Sequence, residues 1–313
     1  MSDDGLLRIG REIFLAALGM PLDDVDAWVI DRLTLILNEQ EVHAGQILFT
    51  AGAPIEFIYF MRDGEVRFTR EGAPPWTLRG RWFLGGFDAM GDRLATRTAT
   101  AVGDFYGMRV SAVAWLEMLE DSFQLARSAV VNSSRALTQL EERIPTGAPT
   151  SRREAPAFVA PPGALSLVER LAILLGVRLL RGTGVQALAD LAAVSRQVSF
   201  APGELIIERG IESEQLLLVV DGDVLAEREG PAVRRHYGPG DLVCGAAILG
   251  AVGDAWQARA TTAVRGVSFP IDALFDLMEE HFDLVRSTLA AVGARRDLLL
   301  EHLASESNGL VLT

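Results

Sequence analysis

The sequence predicts an α+β protein made of two tandem β-rolls, double-stranded β-helices of jelly-roll type, each flanked by N- and C-terminal helices. One observation is an internal repeat. Gly45 and Gly52 recur as Gly203 and Gly210, and Asp63-Gly64-Glu65-Val66 recurs as Asp221-Gly222-Asp223-Val224, all at an offset of 158. A second is texture: short β-prone runs punctuated by glycine fill the middle of each copy, and helical spacing brackets them. A period this long marks a duplicated domain and not a solenoid unit.

The elements follow in order. Residues 6–18 and 25–37 carry apolar positions three and four apart, the second run after Asp23-Asp24, which suits a helix N-terminus. From residue 45 to 110 the pattern becomes strands, such as Phe57-Ile58-Tyr59-Phe60-Met61 before Asp63-Gly64. Asp-Gly between such runs predicts a hairpin turn. Helical spacing returns at 112–143. Residues 145–164 hold 5 of the 13 prolines and few large apolar residues, which predicts an interdomain linker. The first domain is therefore 1–144 and the second 165–313, with superposable rolls expected over 6–144 and 165–304.

Strand texture repeats in the second copy, with Asp221-Gly222 after Leu216-Leu217-Leu218-Val219-Val220. Phe282-Asp283-Leu284-Val285-Arg286-Ser287 matches Phe123-Gln124-Leu125-Ala126-Arg127-Ser128 at an offset of 159. The final helical stretch, 272–304, is longer than one roll covers. Either it breaks near Gly293, or its apolar surface, including Leu277, Leu284 and Leu298, packs on another chain. The second option predicts a homodimer or an unnamed protein partner.

Composition narrows function. Asp and Glu number 42 against 29 basic residues, a net charge of −13, which opposes DNA or an anionic membrane as partner. All the basic residues are arginine, so chemistry that needs a lysine ammonium is excluded. One cysteine, Cys244, excludes a disulfide framework and fits a reducing compartment; a small buried residue is the expected role. His43, His236, His281 and His302 are scattered without metal-ligand spacing. No nucleophile stands with a base, so no enzyme is expected. The N-terminus is acidic, and no apolar run approaches the roughly 20 residues that span a bilayer. A soluble cytoplasmic protein without membrane insertion is expected.

The motif order resembles the cyclic-nucleotide-binding domain. The second copy shows it in Pro202-Gly203-Glu204, Gly210, Asp221-Gly222-Asp223-Val224 and Gly238-Pro239-Gly240-Asp241, the first in Ala44-Gly45-Gln46, Gly52 and Asp63-Gly64-Glu65-Val66. The resemblance covers nearly all the chain outside the linker and termini. It implies a regulatory, signalling protein without a cofactor, whose ligand is a cyclic nucleotide or other small anion. In that family a short cassette offers helix N-terminal amides to the phosphate, a Glu to the ribose and an Arg, about ten residues on, to the phosphate oxygens.

Both copies depart from the cassette. In the first, Gly86 stands where Glu is expected, with Asp88 the nearest carboxylate. Arg97 keeps the arginine position with Thr98 beside it, so the site implied there is Gly85, Gly86, Phe87, Asp88, Arg97 and Thr98. In the second, Ala246 replaces Glu, and the Arg position falls at Trp256, Gln257 or Ala258. Arg259 comes late, and a one-residue slip on a strand turns a side chain to the other face. Losing a charged hydrogen bond forfeits about 1.5–3 kcal/mol, so the second copy is expected to be degenerate.

A second sensor copy stands where a helix-turn-helix domain would follow the sensor, so a transcription factor of the cyclic-AMP receptor type is not expected. Two copies in series look more like a regulatory subunit of a cyclic-nucleotide-dependent kinase. Two function classes stand: a ligand sensor that moves its adjoining helices to engage a partner, and a ligand-free scaffold that keeps the fold for protein contacts. A pocket lined by Arg97 would favour the first; one filled by Phe87 or Trp256 would favour the second.

Overall fold

The computed structural model describes residues 27–91, 93–144, 160–177, 180–228, 233–307 and 310–312. Contacts divide them into two compact units. One holds the described residues up to Asn132 together with those from Arg296 onward; the other is Ser133–Arg295. The helix expected over 6–18 and most of the proline segment lie outside the described residues.

In chain order the first copy runs α1 (Ala27–Ile36), β1 (Asn38–Val42), β2 (Ile47–Phe49), β3 (Phe57–Met61), β4 (Glu65–Arg70), β5 (Ala73–Arg79) and β6 (Trp82–Leu84). It continues with α2 (Gly86–Met90), β7 (Thr98–Ala101), β8 (Phe105–Ser111), α3 (Ala112–Asp121) and α4 (Phe123–Glu141). The strands pair antiparallel in two sheets, β1-β8-β3-β6 and β5-β4-β7-β2. Strands adjacent in sequence mostly lie in opposite sheets, which is the expected jelly roll. Side chains of Phe60, Phe83 and Trp115 meet inside with ring centroids 5.1–5.5 Å apart, and Ser111 starts α3 by accepting the Ala114 N–H at 3.1 Å.

The second copy repeats the roll. It has α5 (Leu167–Gly176), α6 (Val185–Val194), β9 (Arg196–Phe200), β10 (Leu205–Ile207), β11 (Gln215–Asp221), β12 (Val224–Arg228) and β13 (Val233–Tyr237). Then come α7 (Gly245–Leu249), β14 (Trp256–Ala260), β15 (Val264–Pro270), α8 (Ile271–Glu280), α9 (Phe282–Ser307) and β16 (Leu310–Leu312). Its sheets are β9-β15-β11 and β13-β12-β14-β10, with a single bridge from Leu218 to Leu242 where the first copy has β6.

Two expectations are corrected. Asp63-Gly64 and Asp221-Gly222 are not hairpin turns. β3 pairs with β8 and β6 while β4 pairs with β5 and β7, so the Asp-Gly step carries the chain from one sheet to the other. Glycine is required there by crowding: a Cβ at Gly64 would lie 2.6 Å from Phe105 Cβ, and one at Gly222 2.2 Å from the Ala263 carbonyl oxygen. The last helical stretch breaks at His281, between α8 and α9, and not at Gly293, which lies buried inside α9. Packing outweighs the ~1 kcal/mol helix penalty of a glycine.

Each unit is completed by a helix end from the other copy. α4 has 19 residues and α9 has 26, and at about 1.5 Å per residue both outrun their own roll. The residues of α4 from Ser133 belong to the second unit, and those of α9 from Arg296 to the first. β16 then adds parallel to β5, Leu310 opposite Trp76 and Leu312 opposite Leu78, beyond Pro74 and Pro75, which carry no N–H.

Candidate functional site

Strand alternation fixes which side chains enter each roll. On β14, Trp256, Ala258 and Ala260 are buried while Arg259 is exposed and donates to the Gly203 carbonyl at 3.3 Å. Arg259 therefore faces out, as the one-residue slip requires. Register places the two copies side by side. Val66 lies opposite Leu78 and Ala101, and Val224 opposite Tyr237 and Ala260. Carried along the strands, this sets Trp76 against Arg235, Arg97 against Trp256, and Arg70 against Arg228.

In the first unit Arg97 is 2% exposed. Its guanidinium carbon sits 3.7 Å above the centre of the Trp76 ring, Nη1 donates to the Pro74 carbonyl at 3.0 Å, and Nη2 lies 3.5 Å from Glu301 Oε2. Nη2 makes no hydrogen bond. Arg70 reaches the same carboxylate from β4, with Nη2 2.8 Å from both Glu301 oxygens. Burial, with Arg70 nearby, holds the Arg97 guanidinium below its usual pKa, and Glu301 and Asp297 oppose the shift.

The rest of the implied site is occupied by the protein itself. Gly85 caps α2 in the left-handed region at φ 86°. A Cβ on Gly86 would fall 1.8 Å from the Phe83 ring, so the position where Glu was expected has no room for a side chain. Phe87 packs below Arg296, whose guanidinium lies 5.5 Å from its ring centre. Asp88 accepts the Thr96 N–H at 3.3 Å, and Asp297 accepts the Thr96 hydroxyl at 3.2 Å. Burial and the neighbouring Asp297 carboxyl push Asp88 up to about 6, and burial raises Asp297 as well. Thr98 turns away from this group, its hydroxyl accepting the Ala51 N–H at 3.0 Å.

Sequence reasoning missed Trp76, Arg70, Arg296, Asp297 and Glu301. Trp76 carries no local signal beyond its place in a run before Gly80. The four others come together through pairings that no local pattern encodes.

The second unit has the same frame with different occupants. α7 is capped by Cys244 in the left-handed region at φ 50°, the counterpart of Gly85. Register pairs Gly86 with Gly245 and Phe87 with Ala246, so the two positions read as missing their Glu differ by one residue, and neither alternative is a carboxylate. Trp256 is 2% exposed and fills the place of Arg97. Arg235, also 2% exposed, donates from Nη2 to the Glu141 carbonyl at 2.7 Å and the Ile144 carbonyl at 3.4 Å, capping the C-terminus of α4. Arg228 pairs with Glu142 at 2.8 Å, mirroring Arg70 with Glu301, since Glu142 and Glu301 share the 159 offset. The Cys244 thiol is buried and pushed up to about 12 by desolvation, so it is an inert core residue.

Among the described residues, no helix is long and apolar enough to cross a membrane. No family model matches the chain, and no curated protein matches it. Solved structures similar to it include the regulatory domain of Toxoplasma gondii PKA with cAMP, at 14% identity and TM-score 0.34, covering 98% of each chain. The regulatory subunit of a cAMP-independent protein kinase A from Trypanosoma brucei is 16% identical, with TM-score 0.34, covering 98% of this chain and 94% of that one. A putative cyclic nucleotide-binding protein from Geobacter metallireducens is 23% identical, with TM-score 0.35, over 40% of this chain and 92% of its own.

Proposed function

We propose that the chain is a non-enzymatic regulatory protein of two cyclic-nucleotide-binding-like modules, in which only the first takes a ligand, a cyclic nucleotide or other small anion. The observation that carries this is Arg97: a buried guanidinium, retained in one copy, whose partner is a carboxylate on the C-terminal helix. An anion at Arg97 and the position of that helix are then linked, because both compete for one charge. The second module has Trp256 at the corresponding place, and its buried Arg235 is committed to a helix end.

Calorimetric titration of the purified chain against cyclic mono- and dinucleotides tests this. One site per chain, abolished by Arg97→Ala, is the expected result. Two sites, or binding unchanged in Arg97→Ala, would overturn it. The scaffold reading is favoured by a separate observation, the Phe83 ring in the space a side chain at position 86 would need. Absence of binding across the panel would select that reading.

A further inference from the structure

The Glu301 carboxylate sits where two guanidiniums converge. Arg70 holds both its oxygens at 2.8 Å, and Arg97 stands 3.5 Å away with Nη2 making no hydrogen bond. A carboxylate whose two oxygens both accept from Nη2 of one arginine, with a buried second guanidinium beside it, is an anion in a two-arginine cradle. The second unit shows what the carboxylate does when it is only a fastener: Glu142 pairs with Arg228 at 2.8 Å, and Trp256 stands where the second cation would be. The extra buried cation in the first unit adds nothing that fastening needs. It leaves a charge that Glu301 neutralises only in part.

We propose that Glu301 is a built-in competitor for a phosphate site made by Arg70 and Arg97, so that the first unit binds a phosphate monoester dianion only as the helix end that carries Glu301, from Arg296 to Ser307, gives way. This rests on the reading of Arg97 as the anion partner. Two guanidiniums match two charges, whereas a cyclic phosphodiester carries one. Among the described residues, the only carboxylate within ion-pair distance of either is Glu301 itself. Glu301 lies one helical turn from Asp297, and β16, which follows α9 in sequence, lies on β5, so withdrawal of Glu301 is coupled to the Leu310–Leu312 pairing with Trp76–Leu78. A ligand that must first displace an internal group has its affinity reduced by the fraction of molecules in the open state.

The test uses the full chain and 5′-AMP, with cyclic AMP as the monoanionic counterpart. Glu301→Gln is expected to bind 5′-AMP about tenfold more tightly than wild type, and more tightly than it binds cyclic AMP, with the gain lost in Arg97→Ala/Glu301→Gln. In wild type, 5′-AMP is expected to speed hydrogen exchange at Thr77 and Leu78, a readout that does not depend on a variant folding. Unchanged affinity in Glu301→Gln, while wild type still binds either nucleotide through Arg97, overturns the competitor and leaves the sensing reading standing. Tighter binding of cyclic AMP overturns the dianion class. No binding by either protein overturns both.

Discussion

Arg97 and Trp76 form a stacked pair inside the first roll, 3.7 Å from guanidinium to ring, and the second roll carries the same two residue types in exchanged positions, as Arg235 and Trp256. In one order the arginine faces the carboxylate of Glu301; in the other it faces the carbonyls that end α4. The exchange turns the partner of a glutamate carboxylate into a helix cap. It separates the two copies more sharply than the loss of a Glu, because it changes what the buried charge is for.

Arg97 and Trp76 are expected to be energetically coupled. A desolvated cation–π contact contributes roughly 2 kcal/mol. A double-mutant cycle with Arg97→Met and Trp76→Leu, read by chemical denaturation, should show a coupling of about 1–2 kcal/mol. The matching cycle of Arg70→Met with Trp256→Leu, residues of different units, should give a value near zero.

Arg235→Met is expected to destabilise the second unit by about 1–3 kcal/mol, because the Glu141 and Ile144 carbonyls at the end of α4 lose a charged donor. Arg259→Met, at an exposed position, should stay within about 0.5 kcal/mol of wild type. Denaturant midpoints of the two variants check the difference.

Stability should fall as pH rises through about 6. The Asp88 carboxyl, raised to about 6 in the folded chain, holds a proton that the unfolded chain, at about 3.9, has released. The folded state therefore binds more protons in that interval. Its contribution is fully present below the unfolded value and is lost as Asp88 ionises beside Asp297. Denaturation midpoints from pH 4.5 to 7.5 should decline in wild type and decline less steeply in Asp88→Asn, where only Asp297 remains raised.

Much of the fold was legible because its determinants are local. Glycines at a fixed offset mark turns, and the slip that sets Arg259 outside is visible in a strand's alternation. The crossing at Asp63-Gly64 was not legible: Asp-Gly suits a hairpin equally well, and the crowding by Phe105 that demands glycine comes from a strand forty residues away. Apolar spacing shows that α4 and α9 each bury a face, but not which roll receives it. For that reason Glu301 and Asp297 were absent from the site read in the sequence. The counterpart of Arg97 stayed open among Trp256, Gln257 and Ala258, because the offset changes from 158 to 159 within the repeat; strand register selects Trp256.

Glycine substitutions should separate crowding from backbone strain. Gly222→Ala places a Cβ 2.2 Å from a carbonyl oxygen at φ 90°, whereas Gly52→Ala, at φ 80°, meets open space. Gly52→Ala is expected to cost about 1–2 kcal/mol from its left-handed backbone alone. Gly222→Ala should cost more, by moving β15 away from β11. Thermal melts of both proteins give the ordering.

Hydrogen exchange on Glu301→Ala and Glu142→Ala tests most directly that each roll is closed by the helix end of the other copy. Glu301→Ala should raise exchange in the first roll, at Trp76–Leu78 on β5, and leave β13 unchanged. Glu142→Ala should do the reverse, loosening Val233–Tyr237 on β13 and sparing β5. Loosening of the roll in the same copy as the substituted glutamate would contradict the exchange, and with it the coupling between Arg97 and the C-terminal helix.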